Sequence, residues 1–171
     1  MLNSRQRNKK QKNKPYLFCQ TGKDIAMDYA VRLLSVRQRS EIELSDRLVK
    51  RIKDKNTVQD CIKKLKSLGY IDDKKFAKDW IEERLRKSPR SFSALRYELT
   101  GFGISKNIID DVLDEFSREL SDLDIAKGLI KEKAQAQASI KEKAYWIRFL
   151  IQKGFSYETA EEAIIKGVVK E

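Results

Sequence analysis

The stretch that decides the fold spans residues 91–116 and reads SFSALRYELTGFGISKNIIDDVLDEF. Its apolar residues recur at spacings of three and four, as in Ile108, Val112 and Phe116, which is typical of amphipathic helices. Between the two helical patterns, Gly103 favours a helix stop and Ser105 a helix start. The stretch therefore predicts a helix, a sharp turn and a second helix.

The same pattern returns about 51 residues later in the chain. Two apolar slots, a glycine stop and a serine cap match between the copies: Leu95, Leu99, Gly103 and Ser105 in one, Trp146, Leu150, Gly154 and Ser156 in the other. An earlier copy has Leu44 and Leu48 in the apolar slots, but Ile52 stands at the glycine position. A period of this length in a helical chain is typical of stacked repeats, which share a core that one unit could not form alone.

Each repeat is predicted to contain three helices, because a further helical pattern precedes each pair and no segment shows the alternation of a strand. The predicted helices cover residues 24–37, 41–52, 57–68, 73–87, 92–102, 106–119, 123–137, 140–153 and 157–168. We predict an all-α protein with three tandem three-helix repeats, similar in connectivity to helix-turn-helix units, at residues 24–71, 72–122 and 123–171. Such repeats stack into an elongated, curved array.

Several side chains are predicted to cap these helices or to fill their cores. Ser40 with Glu43 matches a capping box, and Asn56 with Gln59 matches it more weakly. Further N-caps are predicted at Asp72, Ser105, Ser139 and Ser156. Trp80 and Trp146 occupy apolar slots of the repeat, and we expect both in the core.

The net charge of +11 arises from 37 Lys and Arg residues against 26 Asp and Glu residues, and it is unevenly placed. Residues 1–23 carry seven cations and no acid, which predicts a disordered basic tail that either binds phosphate groups or only aids solubility. The remaining chain mixes both signs. No apolar run approaches the ~20 residues of a membrane span, and we expect a cytoplasmic protein without membrane contact.

Catalytic and metal-binding chemistry finds little support in this composition. Histidine is absent, and the two cysteines, Cys19 and Cys61, form no CxxC pair. The pairs Asp72-Asp73 and Asp110-Asp111 are more typical of first helical turns than of metal ligands. We therefore predict a protein that is not an enzyme and needs no cofactor or metal.

Basic residues cluster in the first two repeats, where a stripe of them could follow a phosphate backbone. Arg37 and Arg39 are predicted to project from the turn between the first two helices, and Arg90 lies at the matching turn of repeat 2. A solvated face with salt bridges to nearby acids such as Glu43 explains the same pattern. The candidates for contact with nucleic acid or a protein filament are Arg37, Arg39, Arg47, Lys50 and Arg90.

Three segments resemble the RecX family of recombination regulators. Residues 39–44, RSEIEL, resemble its R-S-x-x-E-L segment. Residues 68–80, LGYIDDKKFAKDW, resemble L-G-Y-[IL]-D-D-x-x-F-A-x-x-[WY], and residues 90–104 resemble R-x-x-x-x-L-x-x-E-L-x-x-x-G-I. The sequence departs from the family where 87–89, KSP, replace a usual glycine, and where Ile52 stands in repeat 1.

The resemblance implies three tandem three-helix units and a monomeric modulator of RecA without catalytic activity. Family members lodge in the groove of the RecA filament on single-stranded DNA, inhibit its ATP hydrolysis and strand exchange, and so restrain recombination and the SOS response. Weak DNA binding, including duplex, is also implied.

Two other classes remain open from the sequence: a helix-turn-helix DNA-binding protein with no RecA role, and a helical scaffold for another protein. The predicted helix at 106–119 carries two cations against five acids, which disfavours a DNA-reading helix.

Overall fold

The computed structural model describes residues 21–135 and 143–168, and these residues form nine helices and no strand. The helices are α1 (Gly22–Val36), α2 (Glu41–Arg51), α3 (Lys55–Ser67), α4 (Asp73–Lys87), α5 (Phe92–Gly101), α6 (Lys106–Ser117), α7 (Asp122–Gln135), α8 (Lys143–Gln152) and α9 (Tyr157–Val168). The predicted helix ends lie within two residues of these wherever the described residues contain the boundary. None of these helices is long and apolar enough to cross a membrane.

Each set of three consecutive helices encloses its own apolar core, so that α1–α3, α4–α6 and α7–α9 form repeats 1, 2 and 3. Leu48, Leu99 and Leu150, one from each repeat, are all 0% exposed. Full burial of a leucine side chain contributes about 1.5–3 kcal/mol to folding. The structure thus confirms the all-α fold and the three-helix repeat.

The two tryptophans differ in their burial. Trp146 is buried in the core of repeat 3, as predicted. Trp80 is only half-buried at the edge of the repeat 2 core, because its indole N–H donates a hydrogen bond to the Glu98 carboxylate at 2.9 Å. The prediction that Trp80 is a core residue is therefore only partly right.

Ser40 is confirmed as the N-cap of α2, but the capping box predicted there and the cap predicted for α3 are wrong, for reasons that involve charge. Ser40 accepts a hydrogen bond from the Glu43 backbone N–H at 3.1 Å, but the Glu43 side chain turns away to arginines and forms no capping box. Helix α3 is capped by Asp54 instead of Asn56, since its carboxylate accepts from the backbone N–H groups of Asn56 and Thr57. A carboxylate there also interacts favourably with the helix dipole.

The remaining cap predictions have mixed outcomes. Asp72 and Ser156 accept the backbone hydrogen bonds expected of N-caps, whereas Ser105 stands at the N-cap position without one. Ser139 lies outside the described residues, as do residues 1–20 of the predicted tail. Residues 21–23, also assigned to that tail, form the cap and first turn of α1.

Repeats 1 and 2 are joined at a junction that contains two buried hydrogen bonds. The hydroxyl of Ser40, which is 0% exposed, donates to the carbonyl oxygen of Phe102 at 2.6 Å. The carboxylate of Asp73, at the start of α4, accepts from the backbone N–H of Glu41 at 2.8 Å. The start of α2 is therefore fixed by the first turn of α4 and by the end of α5 in the neighbouring repeat.

Repeats 2 and 3 are joined in the same way. The buried hydroxyl of Ser91 donates to the carbonyl oxygen of Gly154 at 2.6 Å, and the Asp122 carboxylate accepts from the backbone N–H of Phe92 at 2.8 Å. Repeat 2 contacts both of its neighbours, so that the three repeats form a row.

The glycines of the repeat allow this close approach. Gly103 has a φ of +76°, and a Cβ atom there would lie 2.7–2.9 Å from the Ile42 side chain of the preceding repeat. Gly69 has a similar φ of +74°, but a Cβ atom at this position would have no neighbouring atom within 4 Å. The two glycines therefore share a left-handed backbone and differ in packing.

We expect Gly103→Ala to destabilise the protein by at least ~1 kcal/mol more than Gly69→Ala. Both variants carry the strain of a left-handed alanine, about 1–2 kcal/mol, but only Gly103→Ala overlaps a neighbouring repeat. Urea unfolding measures both, and Ile42→Ala in the Gly103→Ala background should recover part of the difference. Equal losses for the two glycines would contradict the proposed role of the contact.

The junction aspartate should also leave a signature in the pH dependence of stability. Burial raises the pKa of Asp73 above its ordinary value of 3.8, against the opposing effect of the Glu41 N–H. The protonated form therefore favours the folded state, and this stabilisation is fully present below the ordinary pKa and is lost as pH rises through the raised pKa.

Asp73→Asn keeps an oxygen that can accept the Glu41 N–H but cannot ionise. We expect the free energy of unfolding of the variant, relative to the wild type, to rise as the pH increases from the ordinary pKa of 3.8 through the raised pKa of Asp73. Denaturant titrations at a series of pH values measure the difference in free energy of unfolding between the variant and the wild type. Contributions of carboxyl groups that titrate alike in both proteins cancel in this difference. Parallel profiles would show that Asp73 titrates alike in the folded and unfolded chains.

Candidate nucleic-acid interface

Three of the five predicted contact residues converge on one carboxylate in repeat 1. The Glu43 Oε1 atom accepts from the guanidinium groups of Arg37 and Arg39, and Arg47 Nε lies 3.6 Å from the same atom. The side chains of Arg37 and Arg47 are 45% and 48% exposed, whereas that of Glu43 is only 18% exposed. The acid thus holds the arginines in place and leaves two positive charges unbalanced.

Arg39 does not project from the turn as predicted. Its side chain is 7% exposed, and its Nε also donates to the Leu33 carbonyl oxygen at 3.4 Å. Because a buried guanidinium is costly without partners, the ion pair with Glu43 is needed for its position. Arg39 therefore positions the site and lies beneath its accessible surface.

Lys50 is exposed one turn beyond Arg47 on α2. Together with Tyr29, Asp46 and Arg47, it lines a groove of about 340 Å³ beside Glu43. Helix α2 has Glu41 and Glu43 in its first turn and Lys50 and Arg51 in its last, an order that matches the helix dipole. The groove therefore contains two cations, Arg47 and Lys50, beside Asp46 and Glu43.

Arg90 belongs to a second cluster, in repeat 2. Its Nε atom lies 3.3 Å from Oε1 of Glu98, and Arg84 Nε donates to Oε2 of the same carboxylate at 2.8 Å. The guanidinium of Arg84 also lies over the Trp80 ring, 4.5 Å from its centroid. Both repeats therefore collect cations around a half-buried glutamate, and the structure does not bring Arg90 into the Glu43 cluster.

Sequence reasoning missed two cations in repeat 3, Lys133 and Lys153. Glu98 of repeat 2 corresponds to Phe149 of repeat 3, 51 residues later. For the first helix of each repeat the offset is 49 residues, as between Asp73 and Asp122, so that Arg84 corresponds to Lys133. The Lys133 ammonium lies over the Phe149 ring, 3.9 Å from its centroid, and that of Lys153 lies 6.0 Å from it. A comparison of the repeats could have found that the cation is kept while its acid is lost.

Metal and thiol chemistry receive no support from the described residues. No group of three or more His, Cys, Asp or Glu side chains within 21–135 and 143–168 could hold a metal ion. Asp110 pairs with Arg96, and Cys61 is buried in repeat 1, where burial raises the pKa of its thiol.

Comparisons with known proteins agree with one another. Models of the first and second three-helix domains of RecX match residues 26–65 and 72–113. The regulatory protein RecX of Chlorobium phaeobacteroides is 32% identical over 139 residues, which covers 81% of this chain and 91% of that protein. The chain belongs to the RecX family. RecX of Caldanaerobacter subterraneus is 27% identical over 139 residues, covering 81% of this chain and 68% of that protein.

A solved RecX structure extends the likeness to the fold. The crystal structure of RecX from Lactobacillus salivarius aligns with a TM-score of 0.71 at 22% identity, covering 86% of this chain and 97% of that one. This coverage exceeds the first two repeats, so the RecX fold includes residues of the third.

We expect Glu43→Gln to destabilise this RecX-family protein by about 3 kcal/mol, because it leaves the buried Arg39 without a counter-charge. The matched control is Glu83→Gln, which breaks an exposed, solvent-screened pair with Lys87 that contributes little to stability. Urea unfolding with both variants measures the contrast. If Glu43→Gln were as mild as Glu83→Gln, the carboxylate would not be the organiser of the cluster.

Proposed function

We propose that this protein is a negative regulator of RecA that binds in the groove of the RecA filament on single-stranded DNA. There it inhibits ATP hydrolysis and strand exchange, and so restrains recombination and the SOS response. It acts in the cytoplasm as a monomer and catalyses no reaction of its own. Membership of the RecX family supports this function, together with a row of repeats that presents cations at fixed positions.

The observation that carries the proposal is the Glu43 cluster. Arg37 and Arg47 are exposed yet tied to a carboxylate that is itself half-buried. Binding of a partner to these arginines therefore costs little side-chain conformational entropy, because Glu43 already holds them in place. The site retains an excess of positive charge beside Asp46, which suits a partner surface that carries both phosphate groups and protein charges.

A helix-turn-helix protein that reads duplex DNA is the rival function, and the third helix of repeat 2 argues against it. On α6, Asp110 is paired with Arg96, and Glu115 is paired with Lys74 and Lys78. A recognition helix with these acids would bring negative charge to the phosphate backbone. Repeat 2 therefore has the helix arrangement of a helix-turn-helix unit but lacks a basic recognition helix.

The experiment measures ATP hydrolysis by RecA on single-stranded DNA while this protein is added below the RecA concentration. We expect the wild type to inhibit, and Arg37→Ala/Arg47→Ala/Lys50→Ala to need about tenfold or more protein for the same effect. Tenfold corresponds to ~1.4 kcal/mol in total, which three solvent-screened charge contacts can together supply. The control, Lys55→Ala/Lys63→Ala/Lys64→Ala, removes three exposed cations from α3 of the same repeat.

The control should inhibit like the wild type if the α2 groove is the contact surface. Equal weakening of both triple variants would mean that only net charge matters. No inhibition by folded wild-type protein would overturn the RecA function, and sequence-specific duplex binding with a steep salt dependence would then favour the rival.

A further inference from the structure

The junction between repeats 2 and 3 contains an open cleft of about 270 Å³. Lys87 and Ser88 line it from repeat 2, and Lys133, Phe149 and Lys153 line it from repeat 3. Lys87 is exposed, so that the cleft is open to solvent at that edge.

The cations that repeat 3 contributes to this cleft lack an acidic partner. In repeat 2 the corresponding cation, Arg84, is neutralised by Glu98 at 2.8 Å. In repeat 3 the glutamate position holds Phe149, whose ring Lys133 covers at 3.9 Å. Within the described residues, neither Lys133 nor Lys153 forms an ion pair, and the one carboxylate lining the cleft, Glu132, is exposed.

Positive charges from the two repeats face each other across the junction. Lys153 Nζ donates to the Ser88 hydroxyl at 3.3 Å. Its pKa is lowered, first by burial and then by Arg90, Lys133 and Arg84. Since both arginines belong to repeat 2, the junction carries a repulsion that a bound anion would relieve.

The basic character of this cleft does not follow from the fold. The equivalent cleft at the junction of repeats 1 and 2 is lined by Arg37 and Trp80 but also by Asp79 and Glu83. The same architecture therefore places two carboxylates and one arginine at the first junction, but one carboxylate and three lysines at the second. This difference points to a ligand rather than to a packing requirement.

We propose that the cleft between repeats 2 and 3 binds a phosphate group of a nucleic-acid backbone, held by Lys133 and Lys153. The Ser88 hydroxyl accepts from Lys153 and so retains its own proton to donate to a phosphate oxygen. A phosphate group accepts several such donors at once, and charge-assisted bonds of this kind are strong. The open edge allows a continuous strand to pass. The choice of nucleic acid as the source rests on the proposed function, whereas the anion site does not.

The test uses the full chain and a fluorescein-labelled fifteen-nucleotide oligo-dT, with binding followed by anisotropy from about 50 to about 200 mM NaCl. Lys133→Gln/Lys153→Gln removes the two cleft cations. Lys143→Gln/Lys166→Gln is the matched control, since it removes two lysines of the same repeat that pair with Glu161 and Glu162. Circular dichroism melts confirm that both variants are folded.

We expect the cleft variant to bind oligo-dT about tenfold more weakly than the wild type. The slope of log K against log [NaCl] should fall in magnitude by about 1.4, because each phosphate contact on a single strand contributes ~0.7 and the variant loses two. The control should keep the wild-type slope. Equal effects of both variants would overturn the site. Competition by a poly-glutamate peptide as effective as oligo-dT of equal charge would overturn the choice of phosphate. Stabilisation of the wild type by inorganic phosphate without oligo-dT binding would overturn the nucleic-acid source.

Parallel RecA assays separate this proposal from the proposed function. RecA inhibition by the wild type, combined with oligo-dT binding that ignores Lys133 and Lys153, would overturn the cleft alone. Cleft-dependent oligo-dT binding without RecA inhibition would overturn the RecA function alone.

Discussion

The hydrogen bond from a buried serine hydroxyl to the end of the next repeat's second helix is the constraint on which this structure depends. Ser40 and Ser91 each cap their own helix and donate to a carbonyl oxygen of the following repeat. Because both groups are buried, leaving either without its partner would cost about 1–3 kcal/mol. One small side chain thus sets where a helix begins and where the next repeat lies.

This constraint explains why the glycines are spaced as they are. Gly103 receives repeat 1, and a Cβ on Gly154 would lie 2.7 Å from Ser91 and Ala94 of repeat 2. The glycine of each repeat therefore serves the repeat before it. In the described chain no repeat precedes repeat 1, and its corresponding residue, Ile52, ends α2 with an extended φ of −110°. The missing glycine, a departure from the family pattern, carries no packing penalty there.

The sequence was sufficient for the helices and the repeat, because both follow from local spacing and from residues that stop or start helices. It was insufficient where charge neutralisation depends on neighbours in space. The i,i+4 spacing of Arg39 and Glu43 was readable, but the burial that turns Arg39 inward comes from packing against α1. Arg84 and Glu98 are fourteen positions apart in the sequence and lie on two different helices, α4 and α5, so local spacing does not predict their pairing.

Cap choice failed for a related reason, since several polar residues compete at each helix start. At α3 the carboxylate of Asp54 outcompetes Asn56 because it accepts two backbone N–H groups and also the Thr57 hydroxyl. Asp54 is exposed, so the number of hydrogen bonds it accepts and its interaction with the helix dipole decide this cap.

The placement of acids gives the row of repeats a direction. Glu43 and Glu98 organise and partly neutralise clustered arginines in repeats 1 and 2, whereas Phe149 replaces the corresponding acid beside Lys133 in repeat 3. The two ends therefore differ in charge although they share one fold. A polymer of repeating units that matches this row would meet a tied arginine cluster at one end and unpaired lysines at the other. Its fit would be better in one orientation than in the reverse, because the charge pattern differs between the ends although the fold of the repeats does not.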